Sequence, residues 1–390
     1  MITYLVQLVL VITFFFGCHI TCFTILKRIY SMIPRNKVTL KSIAADLGIT
    51  HTSVSNAFNN PAKVSTKLKE KILSYAKSVG YHGPNPAAKS LRTGLCGSIG
   101  IIFNDQLSYA FSDPHDIEFL RGVSTVCEEE GSNLVLVPLK HSDLQDFEAI
   151  DAMVDGYILN APYKNNITTQ RALAKGLPTV VVDFDSPEHI SILTNDTEMM
   201  CQITEHLLAL GHKKIAIITF PVHENSHELF TLSRSLDSDN YVVNQRLKGC
   251  QQAIKHCDIE MDSVLVQETS NNEHGGAEAT KILLALNPNI TALVCLSDSL
   301  AFGAMSECLR QKLAIPEHIS ITGFDDTQPK STHMTFPALT TVKQNAFEKG
   351  RKAAEALLKR EVKQDQKINK RINIEARMII RGSTDKTRKL

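Results

Sequence analysis

Apolar residues at Leu40, Ile43, Ala44 and Leu47 follow the i, i+3, i+4, i+7 spacing of one helix face. Thr39 stands where an N-cap belongs, and Gly48 permits a sharp turn at the far end. A second helix starts after Thr50 and is anchored by Val54 and Phe58, until "NNPAKV" breaks it. Ser65 then caps a third helix with Leu68, Ile72, Leu73 and Ala76 turned inward. Helix, tight glycine turn, helix is the helix-turn-helix pattern, in which the second helix enters the DNA major groove.

From Gly97 the pattern changes to short apolar runs alternating with helical stretches. The predicted strands are "SIGIIF", "NLVLVPL", "DGYILN", "TVVVDF" and "SILTND", then "KIAIITF", "SVLVQE", "TALVCLS", "SITGFDD" and "LTTVKQ". Helical segments such as "DIEFLRGVSTVCEEEG", "TEMMCQITEHLLALG" and "GGAEATKILLALN" fall between them. Continuous apolar strands separated by crossover helices imply parallel sheets covered on both faces. Two sets of about five strands imply a two-lobed α/β domain behind a small all-α head.

The outer face of the second helix is unusual for a helix that only packs. His51, Thr52, Ser53, Ser55, Asn56 and Asn59 offer short, neutral hydrogen-bonding groups where Lys and Glu would ordinarily solvate the surface. Such side chains allow close approach to base edges, Asn pairing with adenine and Ser or Thr with several bases. Charge agrees with this reading. Residues 32–94 carry ten Lys/Arg against Asp46 and Glu70, while residues 95–390 carry a net −9. A basic head on an acidic body suits a polyanion-binding module fused to a soluble domain, although a solvated lysine-rich surface would count the same.

Nine cysteines are scattered without a CxxC pair, which reads as reduced thiols of the cytosol and gives no metal or disulfide framework. No GxGxxG, GKS/T loop, HExxH or GxSxG occurs, so no cofactor is expected and binding is favoured over catalysis. Ligands of open α/β sheets sit beyond the carboxyl ends of strands, here between the lobes. "YAFSDP" follows the first strand and "VVVDFDSP" ends the fourth. Tyr109, Phe111, Asp113 and Asp185 in these loops suit a ligand contact or a structural turn equally. Asp298, opening "DSLAFGAM", is read as a helix N-cap.

The run "LVQLVLVITFFFGCHITCFTIL" near the start is about long enough to span a bilayer, for which ~20 apolar residues suffice. It is either a membrane anchor or sequence upstream of a true start at Met32; the well-patterned segment that follows Met32 favours the second. The expected organisation is therefore an extension at 1–31, a DNA-binding head at 32–80, a hinge at 81–95, a two-lobed domain at 96–384 and a short tail at 385–390.

"VTLKSIAADLGITHTSVSNAFNN" resembles the opening of the LacI/GalR family of bacterial transcriptional regulators, with Ser53 where the family more often has Thr. The resemblance implies that His51, Thr52 and Asn56 read bases, and that Thr39, Ser53, Ser55 and Asn59 hold the phosphate backbone. "GYHGPNPAAKSLRTG" is similar to the family's hinge at Tyr81, Pro84, Asn85, Ala88 and Leu91, with one extra residue before Pro84. The implied role of Ala88 and Leu91 is minor-groove contact, Leu91 wedging between base steps.

"RLKGCQQAI", "ALVCLSDSLAFGAM" and "IPEHISITGFDD" resemble the family's effector domain, which is like type I periplasmic binding proteins. By that likeness Arg246 and Asp325 meet an effector, and Ser297 stands where the family often has Asn. The implied protein is a homodimeric repressor on a near-palindromic operator, responsive to a small molecule such as a sugar. An extracytoplasmic solute-binding protein would explain the first thirty residues and the body, but it leaves the basic head without a purpose. A membrane-tethered form of the regulator is the remaining alternative.

Overall fold

The computed structural model describes residues 38–84, 90–91, 94–138, 152–224, 226–234, 238–255, 257–329, 337–359 and 370–387. The expectations for residues 1–31, Asn85 and Ala88 lie outside these. The chain divides into two compact units, Met1–Gly94 and Leu95–Leu390.

In the first unit, α1 (Leu40–Leu47), α2 (His51–Asn59) and α3 (Thr66–Ser78) form a three-helix core. Each start is capped from the sequence: Thr39, Thr50 and Ser65 side chains accept the Ser42, Ser53 and Leu68 amides. Caps of this kind stabilise a helix by about 1 kcal/mol each. Gly48 turns with φ +63°, so a side chain there would be strained. Ile43, Ala44, Val54, Ala57, Ile72 and Ala76 make the buried centre, with Phe58 stacked edge-on against Tyr81 at 5.5 Å. Leu73, expected inside, is only half-buried, and Tyr75 packs on the cluster instead, its hydroxyl donating to Asp46 at 2.9 Å.

The second unit holds two sheets. The first runs β12–β5–β4–β3–β1–β2, built from β1 (Ser98–Phe103), β2 (Asn133–Val137), β3 (Tyr157–Asn160), β4 (Thr179–Val182), β5 (Ile190–Thr194) and β12 (Lys370–Ile374), all parallel. The second runs β10–β9–β6–β8–β7, from β6 (Ile215–Thr219), β7 (Leu229–Thr231), β8 (Leu265–Glu268), β9 (Ala292–Cys295) and β10 (Ser320–Thr322), with only β7 antiparallel. Side chains alternate between faces with period two. Thus Ile215 and Ile217 enter one core while Ala216 and Ile218 enter the other. The segment "LTTVKQ" departs from expectation: its β11 (Thr341–Lys343) leaves the second sheet and pairs with β13 (Arg377–Ile379) in a two-stranded ribbon.

Helices cover both faces. α4 (Leu107–Ala110), α5 (Pro114–Glu130), α6 (Ile167–Ala174) and α11 (Ala346–Leu358) belong to the first lobe. The second lobe has α7 (Asp196–Ala209), α8 (Tyr241–Lys255), α9 (Glu273–Leu286) and α10 (Asp298–Arg310). α5 and α11 touch backbone to backbone, since a Cβ on Gly122 would lie 2.0 Å from the Phe347 carbonyl oxygen. The chain passes between lobes after β5, after β11 and after β12. The Ala376 amide donates to Asn195 at 3.2 Å, tying the first passage to the third. At the start of the domain, both Asp155 carboxylate oxygens accept backbone amides, from Cys96 at 2.6 Å and Gly97 at 2.7 Å. Among the described residues, no helix is long and apolar enough to cross a membrane.

Candidate functional site

The first unit presents α2. Its inward face is fixed by Val54 and Ala57, which leaves the opposite face to solvent. The polar side chains there divide into two groups. Thr39 caps α1; Ser53 shares a hydrogen bond of 2.9 Å with Thr50; Asn59 donates to the Ser55 carbonyl and hydroxyl at 3.0 and 3.3 Å. His51, Thr52 and Asn56, by contrast, make no side-chain hydrogen bond among the described residues. The helix thus carries three uncommitted hydrogen-bonding groups over its first two turns. Leu91 is an apolar side chain with 90% of its surface exposed.

In the second unit a cavity of about 250 Å³ opens between the lobes. Arg246 and Asp325 form its floor. Arg246 is buried; its Nε lies 3.0 Å from Asp196, its Nη2 3.9 Å from Asp325, and it also bonds the Leu296 carbonyl. The guanidinium stacks 3.7 Å from the centre of the Phe324 ring. Behind it runs a chain of polar contacts. Gln344 donates to Asp325 and accepts from Lys349, and Lys349, fully buried, holds both Asp183 oxygens at 2.8 Å. Charges from both lobes thereby meet beside the passages between them.

Several backbones at the rim are strained. Ala161, Asp183 and Asp325 have φ of +45°, +51° and +126°, conformations that cost non-glycine residues about 1–3 kcal/mol each.

The expected residues distribute unevenly. Tyr109, Asp113 and Ser297 line the cavity with Arg246 and Asp325. Tyr109 bridges the lobes, its hydroxyl 2.8 Å from Asp113 and 2.6 Å from the Asn271 carbonyl oxygen. Ser297 caps α10 by accepting the Leu300 amide and donates to Asn271 at 2.5 Å. Phe111 and Asp185 do not reach the cavity. Phe111 is 61% exposed, and Asp185 makes a bidentate surface pair with Arg371 at 2.7 and 2.8 Å. Asp183, two residues earlier, takes the position expected of Asp185.

Asp298 is not the N-cap but the first residue of α10. Its buried carboxylate accepts the Thr341 hydroxyl at 2.5 Å and the Thr327 amide at 2.7 Å. Burial, with Asp325 nearby, pushes this carboxyl up to about 8. A raised value means that the folded state keeps a proton the unfolded chain has lost, so the Asp298 contribution falls as pH rises from about 4 to 8. Asp298→Asn removes that dependence. In urea unfolding the variant should gain on the wild type between pH 5 and pH 9; a constant difference would show that Asp298 titrates normally.

Four residues that sequence reasoning missed complete the wall: His115, Asp116, Asn160 and Asn240. Asn160 ends β3 and donates to Asp116 at 3.2 Å; Asn240 caps α8 by accepting the Val242 and Val243 amides. Burial pushes Asp116 up. His115 is also raised: burial opposes its charge, but Asp116 and Asp325 outweigh that. Burial likewise takes the Tyr163 hydroxyl up to about 12. Among the described residues, His115 Nε2, Asn160 Oδ1 and Asn240 Nδ2 have no hydrogen-bond partner. Buried polar groups are ordinarily paired, so these three, contributed by both lobes, leave hydrogen-bonding capacity unmet around the cavity.

Residues 204–384 match the family described as "periplasmic binding protein-like domain". The chain is 35% identical over 340 residues to the HTH-type transcriptional regulator Rv3575c of Mycobacterium tuberculosis, covering 84% of this chain and 92% of that protein. The chain belongs to the LacI/GalR family of transcriptional regulators. Two solved structures extend the likeness of fold to this regulator. A lac repressor dimer bound to operator and an anti-inducer shares 24% identity, covers 89% of this chain and 99% of its own, and has a TM-score of 0.70. A LacI family regulator from Enterococcus faecium with bound ribose shares 24% identity over 75% of this chain and all of its own, with a TM-score of 0.58. A LacI/GalR regulator binds DNA and is not an enzyme, which accounts for the head and leaves the solute-binding alternative without support.

Proposed function

We propose that this LacI/GalR regulator represses transcription in the cytoplasm as a homodimer on a near-palindromic operator, and that a small hydroxyl-rich effector in the interlobe cleft alters its operator affinity. The uncommitted face of α2 carries this reading: His51, Thr52 and Asn56 are free to bond base edges, while Thr39, Ser53, Ser55 and Asn59 are tied to their own helices and serve the backbone. Leu91, exposed beyond the head, supports a minor-groove wedge. An effector that prefers one arrangement of the lobes shifts operator affinity by its differential binding, typically ~1–3 kcal/mol.

DNA selection with the full chain at fixed salt, with and without a sugar panel, tests this proposal. A two-fold-symmetric site should emerge and be lost or strengthened with one compound. Asn56→Ala and Thr52→Ala should each weaken that site by ~1–3 kcal/mol while leaving random DNA unchanged. Equal loss on random DNA would assign both side chains to phosphate.

A further inference from the structure

The outer face of α2 limits the bases it can select. Bidentate recognition in the major groove follows residue type: Arg and Lys pair with guanine, Asp and Glu accept from cytosine, Asn and Gln pair with adenine. α2 has no Lys, Arg, Asp or Glu among its nine residues, so it holds neither the guanine nor the cytosine partners. Its carboxamides are Asn56 and Asn59, and the two are not equivalent. Asn59 commits its NH₂ to the Ser55 carbonyl and hydroxyl, at 3.0 and 3.3 Å, which leaves it an oxygen alone. Asn56 makes no side-chain hydrogen bond among the described residues, so both ends of its amide are available.

Position favours the same residue. Thr52 and Asn56 each stand two residues from buried Val54, nearly opposite it at about 3.6 residues per turn. Thr52 offers one hydroxyl and a methyl, the methyl suited to thymine, and the two nitrogens of His51 diverge, so that one at a time meets a base edge. Asn56 is therefore the group on α2 that can make two bonds to one base. The charge that attracts DNA lies elsewhere in the head. Lys41 on α1, Lys63 in the turn after α2 and Lys67 at the start of α3 are exposed. Cations on the flanks hold phosphates whatever the sequence, and leave selection to the neutral face.

We propose that each operator half-site presents an adenine to Asn56, and that this A·T pair is the one α2 selects most strongly. The inference rests on the reading of the head as an operator-binding module and adds a base to it. The Asn56 oxygen accepts from the adenine N6 amino group while its NH₂ donates to N7. Guanine at the same place puts an acceptor, O6, where the amide oxygen needs a donor.

DNA selection with the full chain at fixed salt, repeated with Asn56→Ala and Asn56→Arg, tests this. The wild type should yield a two-fold-symmetric site, and Asn56→Ala should erase the preference at one position of each half. That position should be A·T in the wild type. Asn56→Arg should turn it to G·C, a gain that a misfolded variant could not produce. In anisotropy titrations, 7-deazaadenine at that position of one half-site removes the N7 acceptor alone. It should weaken the wild type about fivefold, the size of one neutral hydrogen bond, and leave Asn56→Ala unaffected. A loss that persists in Asn56→Ala would give the adenine to another side chain and overturn the proposal. A symmetric site whose Asn56-dependent position is G·C, or which has no such position, would overturn the base assignment and leave operator binding standing. Enrichment of no symmetric site would overturn the reading of the head itself.

Discussion

Lys349→Met should lower the unfolding free energy by about 3–5 kcal/mol, because it leaves the Asp183 carboxylate buried without its cation. Lys349 is fully buried, and its ammonium spans from both Asp183 oxygens to the Gln344 carbonyl. Methionine retains most of the stem volume, so lost packing contributes little and the loss reports on charge. The double variant Lys349→Met/Asp183→Asn should recover much of it, since removing both charges removes the penalty of stranding one. Urea unfolding of the four proteins in this cycle measures the coupling. Additive effects would mean that the pair is solvated in solution and that the passages between lobes hold together without it.

Arg246→Ala is expected to cost a similar ~3–5 kcal/mol, and to abolish the effector response in any protein that still folds. Its guanidinium is the cation nearest Asp196, which is buried, and Asp325, which is partly buried. Asp325 already illustrates the electrostatic problem: burial pushes it up to about 6 even with Arg246 lowering it. Arg246→Lys keeps the charge but not the planar fork that reaches two carboxylates and a carbonyl while stacking on Phe324. The lysine variant should therefore keep most of the stability and lose effector sensitivity in an operator titration. Unchanged sensitivity in both variants would remove Arg246 from the binding floor.

The head was legible in the sequence almost residue by residue. Its determinants are short-range: three capping side chains, one glycine turn and a helical spacing of apolar residues, all read from neighbours along the chain. Strands buried on both faces were legible for the same reason. The missed strands lie at sheet edges or in the ribbon. β7 and β12 are sheet-edge strands with part of their length exposed, so they show no apolar run, and β13 pairs far away in sequence with β11.

In the cleft, Arg246 and Asp325 came from motifs, while Asn160 and Asn240 look in sequence like an ordinary strand end and an ordinary cap. Only the convergence of two lobes turns them into a site. Asp183 and Asp185 differ by two positions, and the turn at Asp183, with φ +51°, sends one inward to Lys349 and leaves the other outside with Arg371. No local pattern distinguishes them.

The carboxylate of Asp155 has a mechanical meaning. By gripping two consecutive amides where the domain begins, it welds residues 96–97 to the first lobe without slack. A lever transmits angle only when its root is rigid. Residues 96–97 are therefore bound to move with that lobe, one step from Leu95, where the second unit begins.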